Sequence, residues 1–163
     1  MKTIYPKRKN IRLDRVCYFG PIVASITICF YQKLDVICLG LSDDILAVFR
    51  EIERNYSLVT YAYCLMPDHF HALIYIENPK FNLLNIIKHF KSLVSIRLKS
   101  KFPTKQLFQD RFYDHILRKD EDVFKQARYI LENPVRRGLT KDFLDYRYSG
   151  GIYFEQLREF QRR

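Results

Sequence analysis

The chain has 163 residues, 48% of them hydrophobic, and a formal net charge of +10 from 28 Lys+Arg against 18 Asp+Glu. This is the length of one domain with enough apolar content for a core, which excludes a disordered chain; no window approaches the roughly 20 apolar residues of a membrane-spanning helix. Such a basic balance says nothing about fold, but it favours a polyanionic partner such as nucleic acid or a membrane surface.

Residues 1–15, MKTIYPKRKNIRLDR, read as a basic arm without the apolar stretch of a signal peptide. Arg8, Lys9 and Arg12 either reach into a groove or belong to a solvated arm. After Gly20-Pro21, Ile22 to Phe30 reads as a first strand. Ser42-Asp43-Asp44 is expected to cap a helix running to about Asn55, with Ile45, Leu46, Val48, Phe49 and Ile52 on one side. Leu58 to Met66 reads as the second strand, Pro67-Asp68 as a turn, and His69 to Glu77 as the third strand, antiparallel to the second.

Asn78-Pro79 breaks that strand, and Phe81 to about Ser100 has the period of a long helix. Phe112 to Leu117 is a short fourth strand. A further helix begins near Asp120 and should end near Pro134, because proline disfavours helix in the residue before it. Residues 140–163 form a tail without a clear assignment. Strand, helix, strand, strand, helix, strand, helix is the order of an α+β, ferredoxin-like plan: an antiparallel sheet with two helices on one face and the third over or beside it. The whole chain reads as one domain.

Cys17, Cys29, Cys38 and Cys64 have no CxxC spacing, and three of them sit in apolar runs. They are expected to behave as small buried hydrophobes in a reduced, cytoplasmic protein. Most of the 12 Tyr and 13 Phe are expected in the core, although exposed ones offer faces for unpaired bases.

The densest chemistry lies in YAYCLMPDHFHALIYI, Tyr61 to Ile76. On a strand, His69 and His71 point off one face and Phe70 off the other. Two neutral imidazoles so placed can share one divalent ion, although such a pair is more often just a solvated strand face. Tyr129 and Asn133 are four apart and share a helix face. A carboxamide oxygen at Asn133 is a candidate third ligand, with the Tyr129 phenol one turn before it. A tyrosine flanked by Ile130 and Leu131 is ordinarily core, so only its wider frame makes it a nucleophile.

That frame exists. MPDHFHALI, QDRFYDHILRKDED and ARYILENPVRRGL stand in this order. They resemble the REP-associated tyrosine transposases, part of the single-tyrosine, His-hydrophobic-His transposases of small insertion sequences. The resemblance runs from about residue 60 to 139. It implies that His69 and His71 bind Mg²⁺ or Mn²⁺, that Asn133 completes the metal site, and that Tyr129 attacks single-stranded DNA and becomes joined to its 5′-phosphate. The usual target is a DNA hairpin with an adjacent unpaired guide. Some relatives are homodimers with shared sites, others single-chain. The sequence departs from the family pattern at Asp68, where Asn is commoner, and at Phe108, where Trp is usual.

Asp114 and His115 are either polar groups behind the metal ligands or ordinary strand residues. Lys88 and Lys91 on the long helix, and Arg136 and Arg137 after the tyrosine helix, are candidate phosphate contacts or simply a solvated basic face. His89 reads as a helix-surface residue. Two other functions stay open: a regulator that binds repeat hairpins with little catalysis, and a metal nuclease with water as nucleophile.

Overall fold

The computed structural model describes residues 15–103 and 106–162, so Arg8, Lys9 and Arg12 lie outside the described residues. In chain order the elements are β1 (Ile22–Cys29), α1 (Ser42–Tyr56), β2 (Val59–Leu65), β3 (His69–Ile76), α2 (Leu83–Arg97), β4 (Tyr113–Ile116), α3 (Val123–Leu131), α4 (Asn133–Arg136), β5 (Ser149–Gly150) and α5 (Ile152–Gln161). The strands form one sheet in the order β4-β1-β3-β2-β5, with every neighbouring pair antiparallel. The first four strands with α1 and α2 give the ferredoxin-like α+β plan expected from the element order.

Alternation along β1 and β3 divides the molecule into two layers. Ala24, Ile26, Ile28, Phe70, Ala72 and Ile74 face α1 and α2, where they meet Phe49, Ile52, Ile87 and Phe90. Phe70 sits at the centre, with its ring centroid 4.8 Å from Phe49 and 5.6 Å from Phe90. A fully buried phenyl contributes about 1.5–3 kcal/mol, and each good ring pair about 0.5–1.5 more. Between Thr60 and Ala62 the β2–β3 register shifts by one residue, a β-bulge at Tyr61. Beyond it, Ala62, Cys64 and Met66 join Leu73 on the second face, under Ala127, Ile130 and Leu131 of α3. The third helix therefore packs on the sheet face opposite α1 and α2, because its own apolar stripe needs that uncovered side.

Side-chain caps set two of the helix starts. Asn82 accepts from the Leu84 amide, which moves the start of α2 past Phe81. Asp122 accepts from the amides of Phe124 and Lys125 and starts α3. Ser42 does not cap α1; it is the first helical residue, and its hydroxyl turns to the Val36 carbonyl. Pro134 does not stop the chain from coiling after α3. Glu132 stays right-handed helical, and Pro134 occupies the first turn of α4, where its missing N–H costs nothing.

The tail adds a strand and a helix that sequence periodicity did not reveal. Two-residue β5 pairs with Tyr63 and Cys64, and α5 packs beside α3 through Phe154. Gly151 joins them at φ 110°, with an added Cβ falling 2.7 Å from Ala62 Cα. Only glycine accepts both constraints.

The expectation of buried cysteines holds for Cys64 alone; Cys17 and Cys38 are exposed, because the turns that carry them lie outside the packed layers. His89 is not a free surface residue. It is half-buried, and its Nδ1 lies 3.0 Å from the Tyr56 hydroxyl. Among the described residues no helix is long and apolar enough to cross a membrane.

Candidate active site

His69 and His71 project from β3 on the α3 side of the sheet, their ring centroids 6.5 Å apart. Above them, α3 delivers Tyr129, whose ring centroid stands 6.3 Å from that of His71 in an edge-on arrangement. Tyr129 is 52% exposed while His71 is only 8% exposed. The phenol is thus open to a large substrate, and the imidazole beneath it is shielded from water.

His71 is held on both sides. Its Nε2 lies 3.2 Å from Ser25 Oγ, which also accepts from Gln126 Nε2 at 3.0 Å. Its Nδ1 lies 3.5 Å from Asn133 Nδ2. Burial pushes the His71 pKa down to about 4, with the charges of His69 and Arg136 adding to the effect. The ring is therefore neutral near pH 7, as a metal ligand must be.

His69 Nδ1 donates to Asp68 Oδ1 at 2.8 Å, which leaves Nε2 as the ring nitrogen that this carboxylate does not engage. Arg137 grips the same carboxylate with Nη1 and Nη2, at 2.6 and 3.2 Å. Burial raises the Asp68 carboxyl, but the bonds from Arg137 and His69 outweigh it and hold the group below the usual carboxylate range.

The donors fit a divalent ion. Among the described residues no cluster of three or more His, Cys, Asp or Glu could hold a metal. Beside the two imidazoles, the further side-chain donor at Nδ1 of His71 is the carboxamide of Asn133. Its amide nitrogen faces Nδ1 of His71 and is hydrogen-bonded to the carbonyls of Ile130 and Tyr129, at 3.0 and 3.3 Å. Offering the oxygen to an ion beside His71 takes a half-turn of that amide. Cys64, opposite His71 on β2, stays a thiol because burial pushes it up to about 12.

The remaining sequence candidates divide. Asp114 lies opposite Ile26, on the α1–α2 face, and accepts from the Tyr18 hydroxyl at 2.8 Å; the register keeps it away from His71. His115, opposite Ser25, shares the face of the site but sits exposed on edge strand β4, bound to Glu121 at 2.7 Å. Arg136 lies against Tyr129, its guanidinium carbon 4.2 Å from the ring centroid. Lys91 donates to the Gln109 carbonyl at 2.6 Å and approaches those of Asp110 and Arg111. Lys88 is exposed on α2, in the layer opposite Tyr129. An open recess of about 430 Å³ adjoins Tyr129, bordered by Asp120, Glu121, Asp122, Lys125 and Gln126.

Sequence reasoning missed Ser25 and Gln126. Each left a faint signal: Ser25 is a lone hydroxyl among apolar neighbours in IVASI, and Gln126 precedes Asn133 by two helical turns.

Residues 23–133 match the family model described as "Transposase IS200 like". A Haemophilus influenzae protein named as a REP-associated tyrosine transposase is 26% identical over 113 residues, covering 63% of this chain and 64% of that one. The match thus spans less than two thirds of that relative. Among solved structures, a REP-associated tyrosine transposase bound to a REP hairpin superposes with a TM-score of 0.74 at 18% identity, over 86% of this chain and 81% of the other. A Deinococcus radiodurans protein described as a transposase gives 0.52 at 20% identity, over 71% and 92%. At these identities the structural matches speak for the fold.

Proposed function

The chain belongs to the IS200-like transposases, and on that premise we propose that it cuts and rejoins single-stranded DNA through Tyr129. The proposed substrate carries a hairpin, the ligand of the solved relative. The observation that carries this reading is the stacking order of the site: an exposed tyrosine over two strand histidines, one of them buried, all from a single chain.

In this reading the Tyr129 oxygen attacks the scissile phosphorus, and the bond from phosphorus to the 3′-oxygen breaks. The phenol gives up its proton, the leaving 3′-oxygen takes one up, and the 5′-phosphate stays on the enzyme. Attack by a released 3′-hydroxyl on that phosphotyrosine reverses the step and rejoins DNA. His69, His71 and Asn133 would hold Mg²⁺ or Mn²⁺, which polarises the phosphate and neutralises charge on the leaving oxygen. Asp68 and Ser25 orient the imidazoles, and Arg136 holds the phenol ring.

The test is a denaturing gel of protein mixed with hairpin DNA from the flanks of the gene, with Mg²⁺ or Mn²⁺. A slow, protease-sensitive band that needs both metal and Tyr129 is expected, and Tyr129→Phe should bind DNA without forming it. Cleavage by Tyr129→Phe would make water the nucleophile. Binding with no adduct across all flanking hairpins would leave a regulator.

A further inference from the structure

We propose that Tyr113 is a stacking platform for an unpaired base of the DNA strand held at Tyr129. The inference rests on the reading of that site as one for single-stranded DNA, and it names where the strand runs beyond the reacting phosphate.

One row of residues across the sheet carries it. On β1, Thr27 lies opposite His71 of β3 on one side and opposite Tyr113 of β4 on the other. Residues directly opposite in antiparallel strands share a sheet face, so Tyr113 stands on the face of the histidines and Tyr129. Two strand spacings, about 10 Å, separate it from His71. Helices α3 and α5 cover this face over β2 and β3, where Ala62, Cys64 and Leu73 lie beneath them. Among the described residues the β1–β4 side is left open at this row: Thr27 is half-buried and Tyr113 is 64% exposed. A bare shelf therefore runs from beneath Tyr129 to the edge of the sheet.

The chemistry of the shelf suits a base. An aromatic ring on an open sheet face offers a π-surface to any of the four bases, and a single strand has bases free to take it. Single exposed aromatics are ordinary on protein surfaces. This one is aligned with the site and held in place. Pairing with β1 fixes its backbone, and Lys91 donates to the Gln109 carbonyl, fastening the loop just before it. That loop and Tyr113 border an open recess of about 280 Å³, with Gln109, Asp110 and Arg111 on its rim. Arg111 is exposed and supplies a cation for the strand's phosphates. His115, the next residue of β4 on this face, is already bound to Glu121.

The experiment measures equilibrium binding of hairpin oligonucleotides from the flanks of the gene, each with one unpaired nucleotide made abasic in turn. The protein carries Tyr129→Phe, so that no strand is cut. One abasic position is expected to weaken binding about tenfold, the loss of one stacked base. Adding Tyr113→Thr, which keeps a strand-forming residue at the edge, should weaken binding of intact DNA by a similar factor and make that abasic position silent. Tyr113→Phe keeps the ring and should bind like the parent. A folding defect would not reproduce silence at a single position. Unchanged affinity with Tyr113→Thr, or losses that simply multiply at every abasic position, would overturn the proposal. Altered self-association of Tyr113→Thr with DNA affinity intact would overturn it in favour of a second copy seated on the shelf. Coupling between Tyr113 and one base, with no covalent adduct in wild type, would sink the cutting reading and leave this one standing; an adduct without the coupling would do the reverse.

Discussion

Arg136 Nη2 donates to the carbonyl oxygen of Tyr129 at 2.6 Å while its guanidinium lies over the ring of the same residue. One side chain thus holds both the backbone and the phenol of the proposed nucleophile. A cation over an aromatic face at a half-exposed site is worth about 1 kcal/mol, a factor of about five in rate if orientation is what it supplies. Arg136→Ala should slow adduct formation five- to tenfold in single-turnover assays and change hairpin affinity less than twofold. Lysine at this position should not rescue, since it lacks the planar fork that spans ring and carbonyl.

Lys91 and Lys88 look alike in sequence, and the fold separates them. Burial draws the Lys91 ammonium down from the usual lysine value, and the ammonium fastens the carbonyls of the 109–111 loop. Lys91→Met should cost about 1 kcal/mol in urea unfolding, because a charged hydrogen bond that fastens the loop is lost while water re-solvates the exposed carbonyls. Lys88→Met should leave stability within about 0.5 kcal/mol. If Lys88 touches a phosphate, it should also lower the salt slope of DNA binding by about one.

The Asp68–Arg137 pair joins the turn before the histidines to the end of the tyrosine segment. Asp68→Asn retains an acceptor for His69 but removes the ionic grip on Arg137. A half-exposed pair of this kind is worth about 1 kcal/mol or less. Asp68→Asn, Arg137→Ala and the double variant should therefore all fall by similar amounts in denaturant titrations. Additive losses would show that the two residues are not coupled. The arginine also gives a reason for the departure from asparagine at this position: the added charge has a partner.

His71 makes the fold sensitive to acid. Its folded pKa of about 4 lies below the roughly 6.5 of an unfolded histidine, so the unfolded chain binds the proton more readily. The contribution is intact above about pH 6.5 and drains away as pH falls toward 4, by about 3 kcal/mol at most. His71→Gln should flatten that part of the stability–pH curve, measured by denaturant midpoints between pH 7 and pH 4.

The parts of this molecule that repeat locally were the parts that sequence could reveal. Alternation around Phe70 set the faces of β3, and the spacing of Tyr129 and Asn133 set their shared side of α3. What escaped depends on partners distant in the chain. The sheet face chosen by α3 was decided by which side α1 and α2 left bare. Sequence left Asp114 open between a place behind the histidines and an ordinary strand position, and only pairing with β1 assigned it to the other face. Ser25 and Gln126 are 101 positions apart and meet only after folding. The two residues of β5 are too few for any period, and α5 follows an unusual glycine rather than a polar cap.

If Tyr129 cuts over the histidines of its own chain, beside which α3 holds it, each copy would carry a whole cutting tool. A copy lacking its tyrosine and another lacking its histidines, mixed in one tube, would then have no parts to exchange. In a cell with one intact and one broken gene, the broken product would be a bystander at the chemical step, and its defect would behave as recessive.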